Sequence, residues 1–225
     1  MLSRPTVCLF RASLDLDAGL LTALSATLSP EELARARAMR TARLRARLIA
    51  DLGWRRRLLA QRLGTSPEAV RFRRSERGKP HLVGGGPHFS ASRSEDVAWY
   101  AVCEEAPVGV DVQRVDADRP LEALARRLLT ARERAVYDAL PAQRRARALT
   151  ACWACKEAAG KALGAGLVFP ATALEAWSRE GAPLRTGGLE IHQLPAGEGR
   201  SAAVAVRVTG EEVVQIEPVR ELVAT

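Results

Sequence analysis

The stretch ACWACKEAAGKALGAG, residues 151–166, gathers groups that can do chemistry: two of the four cysteines, two of the three lysines, a glutamate and a tryptophan. A thiol pair spaced C-x-x-C suggests redox or metal chemistry, and Glu157 four residues before Lys161 suggests an acid–base pair. Taken as a helix at about 100° per residue, Leu149, Cys152, Trp153, Gly160 and Leu163 fall within roughly 60° of one direction, a core face. Cys155 lies about 300° further round, so the two thiols do not present a paired ligand set. A structural zinc site needs a second Cys or His pair, and His81, His88 and His192 lack the spacing. A thioredoxin-like thiol sits at a helix N-terminus, whereas this pair is mid-helix.

Glu157 and Lys161 remain, about 40° apart on the edge of the core face. As a plain surface pair they are worth roughly 0.2–0.5 kcal/mol. Lys156 falls among the core-face residues, where an ammonium either reaches out to water or meets an anion. Gly160 mid-helix costs about 1 kcal/mol relative to alanine, which makes sense if a backbone or ligand approaches closely. A second acid stands in PVGVDVQ (107–113), where Val108, Val110 and Val112 point to one side of a strand and Gly109, Asp111 and Gln113 to the other. Asp111 is either an exposed-face aspartate or, with Glu157, one of two hard oxygen ligands for Mg²⁺.

The elements that must carry these residues follow from pattern. TVCLF (6–10) reads as a strand and residues 29–64 as a helix, opened by Ser29, Pro30 and Glu32 as a capping box and stopped at Gly64. Residues 74–88 are a Gly/Pro-rich loop, and 88–92, 96–103 and 107–113 read as strands. Helices are expected over 121–140, with a second capping box at TARE (130–133), and over 143–164. Antiparallel strands at 189–194, 202–208 and 212–217 close the chain. The order predicts an α+β protein of two similar-sized lobes, 1–107 and 108–225.

The net charge of +8 calls for an anionic partner: nucleic acid, membrane, a phosphorylated small molecule or an acidic protein. Nine arginines against one acid, Asp51, occupy residues 35–57. Yet the chain holds only two tyrosines, four phenylalanines and four tryptophans, and shows no zinc finger, aromatic RNA-binding signature or helix-turn-helix, which speaks against a nucleic-acid or membrane-binding module. No run of eighteen apolar residues and no signal-peptide pattern is present, so a cytoplasmic protein with reduced thiols is expected.

These stretches resemble the 4′-phosphopantetheinyl transferases, in particular the larger, monomeric surfactin-type group. The family pattern W-x-x-K-E-A-x-x-K-x-x-G is met by Trp153, Lys156, Glu157, Ala158, Lys161 and Gly164. G-[IV]-D-[IV]-E resembles Gly109–Gln113, G-K-P is Gly78-Lys79-Pro80, and F-x-x-S-H-S resembles Phe89–Ser94. All three lysines of the chain fall inside these motifs. The resemblance implies two α/β lobes related by a pseudo-two-fold, with coenzyme A between them. It implies transfer of the phosphopantetheine arm to a serine of an acidic apo carrier protein, with release of adenosine 3′,5′-bisphosphate.

By the same resemblance Asp111 and Glu157 would hold Mg²⁺, with Gln113 contributing through water, and Glu157 would also help deprotonate the serine. Lys161 would contact the phosphate that gathers charge, and Lys156 stands with it among the coenzyme A ligands. Gly78, Lys79 and Pro80 would line the adenine pocket, Ser92 and Arg93 would reach the 3′-phosphate, and Arg47 is aligned with the bisphosphate end. The chain would act as a monomer. A member that binds coenzyme A without turnover is the alternative. Two departures bear on this: Gln113 stands where the family often has glutamate, and Arg93 where histidine is common. Gln113 removes one anionic ligand, so a Gln113→Glu variant is expected to half-saturate at lower Mg²⁺ in a metal titration, and an unchanged titration would take position 113 out of the metal site.

Overall fold

The computed structural model describes residues 4–165, 170–177, 182–210 and 212–223. Strand β1 (Thr6–Ser13) is followed by helices α1 (Ala18–Ala26), α2 (Pro30–Arg37) and α3 (Ala42–Leu63). Next come the short β2 (Phe72–Arg74) and β3 (Pro80–Leu82), then β4 (His88–Ser94), β5 (Val97–Cys103) and β6 (Val108–Arg114). Helices α4 (Leu121–Leu128), α5 (Ala131–Asp138) and α6 (Ala142–Ala162) precede β7 (Leu184–Thr186), β8 (Leu189–Leu194), β9 (Arg200–Arg207), β10 (Gln215–Ile216) and β11 (Arg220–Glu221).

The strands form a sheet in the order β10-β1-β5-β4, with β11 also on β1, a second sheet in the order β6-β9-β8-β7, and the β2–β3 hairpin. Val7, Leu9, Trp99 and Ala101 of the first sheet meet Val108, Val110, Val112, Val204 and Val206 of the second in one buried cluster. Helices cover the outer faces. Trp54, Leu58 and Leu59 of α3 pack with Phe10, Ala12, Tyr100 and Val102. Cys155, Ala158, Ala159 and Ala162 of α6 pack with Ile191, Ala203 and Ala205. The mixed α+β composition expected from the sequence is thus present, arranged as helix, sheet, sheet, helix.

Several boundaries differ from the sequence reading, each for a local reason. Residues 29–64 are two helices: the Ser29–Glu32 capping box starts α2, but Thr41 turns extended and its hydroxyl accepts the Leu44 N–H to start α3. Gly64 ends α3 at φ 62°. Residues 121–140 also split, because Leu129 is extended and the Thr130–Glu133 capping box opens a new helix. A capping box marks a start, and here it outweighed the continuity of the apolar pattern. Of the segment 212–217 only Gln215–Ile216 is strand, and it runs parallel to β1, not antiparallel to β9. The chain's last strands therefore join the sheet that its first strand began.

The single core face expected of α6 is replaced by two buried sides. Leu149 and Cys152 face α4 and α5, while Cys155 is 1% exposed against the sheet and Leu163 is 39% exposed. An alanine-rich helix can be covered on both sides because its small side chains let neighbours close in. Helix and strand lie in close contact at Gly109 of β6, where a Cβ would lie 2.0 Å from the Ala158 carbonyl oxygen and 2.5 Å from the Ala162 nitrogen. Both obstacles are backbone, so they cannot rotate away. Gly109→Ala is expected to destabilise the fold by about 3 kcal/mol or more, read from denaturant unfolding; a cost near zero would show that α6 is free to lift off the sheet.

Candidate active site

A cleft of about 570 Å³ opens where α3, the 74–80 loop, β4 and the second half of α6 converge. Ser92 and Arg93 of β4, Gly78, Lys79 and Pro80 of the loop, and Lys156, Glu157, Gly160, Lys161 and Gly164 of α6 all line it. Two serines of β4 join the sheets at its floor: Ser90 Oγ accepts the Val110 N–H at 3.0 Å, and Ser92 Oγ accepts the Val112 N–H at 3.3 Å. The β4 and β6 motifs, well separated in sequence, are thereby held side by side.

Asp111 lies just behind this floor, buried, with both carboxylate oxygens engaged. Its Oδ1 accepts from Ser92 Oγ at 2.7 Å and from Lys161 Nζ at 2.6 Å, and its Oδ2 accepts from Gln113 Nε2 at 2.8 Å. Lys161 Nζ also donates to the Val110 carbonyl at 3.0 Å. Two of its three N–H donors are thus used, and the third is left for a ligand in the cleft. Lys161 therefore pairs with Asp111 across the packed interface and not with Glu157 on its own helix. Glu157 is exposed on the cleft wall, one turn before Lys161, and among the described residues no ion pair or hydrogen bond holds its carboxylate.

Lys79 reaches away from its loop to the end of α6. Gly78 sits at φ 83°, the left-handed conformation that turns the loop, and Lys79 N–H donates to Ser75 Oγ at 3.1 Å. Its Nζ donates to the Val108 and Lys161 carbonyls, a cation at the negative end of a helix. Burial, and then the neighbouring Lys161 charge, bring its pKa down to about 8.

Two residues assigned to coenzyme A do not stand where expected. Lys156 contributes to the cleft wall, but its ammonium is buried and saturated: it donates to Glu133 Oε2 at 2.6 Å, to the Leu128 carbonyl at 2.7 Å and to the Ala171 carbonyl at 2.7 Å. Three donors meet three acceptors, which leaves none for a phosphate. Glu133, 1% exposed, also takes the Thr130 and Ala176 N–H groups. Arg47 is outside the cleft lining, its guanidinium held in two hydrogen bonds of 2.6 and 2.7 Å by Asp15. The sequence placed a capping box at Glu133 but gave no sign of its second partner.

Charges that the sequence left unresolved fill the other wall. Arg35 of α2, Arg55 of α3, Arg74 at the end of β2 and Arg77 of the loop that follows line the cleft with Arg93. Burial and the like charges of Arg74, Arg55 and Arg93 lower the pKa of Arg35. Arg55 Nε is buried without a hydrogen-bond partner, and its other end lies 3.9 Å from Glu32. The arginine run of residues 35–57 announced a basic helix; only packing showed which of its members face the cleft.

The donor set suits a hard divalent cation. Asp111, through the Oδ2 that takes only the Gln113 N–H, and Glu157 would supply carboxylate oxygens and Gln113 an amide oxygen, and Mg²⁺ commonly takes one or two carboxylates with waters and substrate phosphates. Among the described residues no cluster of three His, Cys, Asp or Glu side chains occurs, so a protein-only cage is not formed there.

Lys156→Met is expected to cost about 3–5 kcal/mol in equilibrium unfolding, because it strands the buried Glu133 carboxylate, and a Lys156→Met/Glu133→Leu pair should recover a large part of that. A mild loss for the single variant, with weakened ligand binding, would return Lys156 to the binding wall.

With this geometry established, comparison places the chain among known proteins. Residues 107–205, which carry the Asp111 strand and all of α6, match the 4′-phosphopantetheinyl transferase superfamily. The 4′-phosphopantetheinyl transferase HetI of Nostoc sp. is 36% identical over 165 residues, covering 72% of this chain and 70% of that protein. A putative 4′-phosphopantetheinyl transferase, slr0495 of Synechocystis sp., is 29% identical over 154 residues, 67% of this chain and 63% of its own length. Among the described residues no helix is long and apolar enough to cross a membrane. The chain belongs to the 4′-phosphopantetheinyl transferase superfamily and is an enzyme of that class.

Proposed function

We propose that the enzyme transfers the 4′-phosphopantetheine arm of coenzyme A to a serine of an acidic apo carrier protein, with Mg²⁺, in the cleft between an N-terminal lobe (1–107), whose sheet β10 and β11 complete, and a C-terminal lobe formed by the rest of 108–225. The observation that carries this reading is the contrast between the cleft's two walls. One presents Glu157, unpartnered and exposed, beside the Asp111–Lys161 pair. The other presents Arg35, Arg55, Arg74, Arg77 and Arg93, an environment for a polyphosphate.

In the reaction the serine oxygen bonds to the phosphorus that carries pantetheine. The bond from that phosphorus to the bridging oxygen breaks, and adenosine 3′,5′-bisphosphate leaves. Glu157 accepts the serine proton, a role open to it because no side chain among the described residues holds its carboxylate. Lys161 directs its remaining N–H at the phosphoryl oxygens, where charge gathers, while Asp111 and the Val110 carbonyl fix the ammonium in place. Asp111, Glu157 and Gln113 would hold Mg²⁺, which when bound supplies Lewis-acid neutralisation of the pyrophosphate. Lys79 supports the site by tying the loop with the proposed adenine contacts to the end of α6.

Rim arginines such as Arg77 favour encounter with an acidic carrier and make it salt-sensitive. The reading keeps the enzyme monomeric and cytoplasmic.

Intact-mass spectrometry of an apo carrier incubated with enzyme, coenzyme A and Mg²⁺ tests this directly. A mass gain of one phosphopantetheine is expected only in the complete reaction, with chelator abolishing it and Glu157→Ala slowing it by about 100-fold or more. No gain on any of several carriers, with coenzyme A still bound, would make this a binding protein without turnover.

A further inference from the structure

Among the described residues the arginine-lined wall contains one carboxylate, and its position is unexpected for a surface meant to hold phosphates. Asp51 of α3 is buried in the lining of the cleft beside Arg55 and Arg93. Its Oδ1 accepts the Tyr100 hydroxyl at 3.2 Å, and the same hydroxyl lies 3.1 Å from the Asp51 carbonyl oxygen, so strand β5 pins both ends of this aspartate. Its Oδ2 faces Arg93, whose guanidinium approaches to 3.5 Å.

An anion here repels an incoming phosphate, so the arrangement is useful to binding only if it does something to a cation. Arg93 is the cation within reach. Its side chain is 43% exposed, and the four other arginines on this wall give it no attractive partner. Without a counter-charge, a long side chain among like charges turns outward to water. Asp51 draws one guanidinium nitrogen back towards the cleft wall and leaves the remaining donors of the fork facing the cavity.

The geometry points to Asp51, anchored by Tyr100, as a positioning residue that aims Arg93 at a phosphate monoester and so sets the enzyme's preference for a 3′-phosphorylated donor. This rests on the reading of coenzyme A as donor. Asp51 touches no reacting atom and acts only through Arg93.

The test compares coenzyme A with 3′-dephospho-coenzyme A as donors, as the ratio of their kcat/KM values, in the wild type, Arg93→Ala, Asp51→Asn and the double variant. Asparagine keeps the shape of Asp51 and an oxygen for Tyr100 but removes the charge. A fall in the ratio of roughly tenfold is expected for Arg93→Ala, and of at least about threefold for Asp51→Asn, as for loss of a charge-assisted contact and of part of one. The double variant should fall no further than Arg93→Ala alone, because the two residues act as one unit.

Three results would overturn the inference. An Asp51→Asn ratio that rises shows simple repulsion. An unchanged ratio, with both donors slowed alike, shows a purely structural role. Additive losses in the double variant show that Asp51 works independently of Arg93. Transfer from neither donor by the wild type would instead remove the donor reading itself, and this inference with it.

Discussion

Everything in the site depends on how closely α6 lies against β6. The absence of a side chain at Gly109 lets the Ala158 carbonyl and the Ala162 nitrogen approach the strand directly. At that separation Lys161 reaches Asp111 and the Val110 carbonyl, and Lys79 reaches both Val108 and the end of the helix. A longer distance would leave Asp111 buried without its cation, at the full cost of an unpaired charge. The alanines of α6 and the valines and alanines of β6 and β9 serve the same end, since larger residues on either side would push the helix outward.

Two lysine–carboxylate pairs on this helix show how burial and donor counting separate structure from chemistry. Lys156 and Glu133 are both enclosed, and every donor of the ammonium is matched. That pair fixes the orientation of α6 relative to α4, α5 and the 171–176 segment, and so fixes which way its neighbour Glu157 points. In the second pair Asp111 is enclosed while the Lys161 side chain is 30% exposed and retains a free donor. Only the incompletely satisfied pair can respond to a ligand. Adjacent letters of one motif, Lys156 and Glu157, thus have opposite fates: one is saturated inside the protein, the other left open to the cleft.

The sequence carried much of this site because local chemistry leaves local marks. The alternation of β6 named Asp111 and Gln113 as sharing a face with Gly109, and the rare lysines stood out against 31 arginines, the 34 basic residues less three lysines. Capping residues located the starts of α2 and α5. What the letters could not carry was partner choice. Helical spacing paired Glu157 with Lys161, yet the stronger partner lay across the sheet interface, about fifty residues away in sequence. Arg47 and Arg55 look alike in a basic run, but one is held by Asp15 and the other lines the cleft.

Periodicity and capping are nearest-neighbour effects, so the sequence by itself determined most of the secondary structure around the cleft, the motif residues and the basic character of the chain. Which buried lysine is saturated, which arginines share a wall and how near α6 comes to β6 depend on atoms brought together from distant parts of the chain. Those were decided by the tertiary structure, because only close packing removes the water that would otherwise satisfy each charge separately.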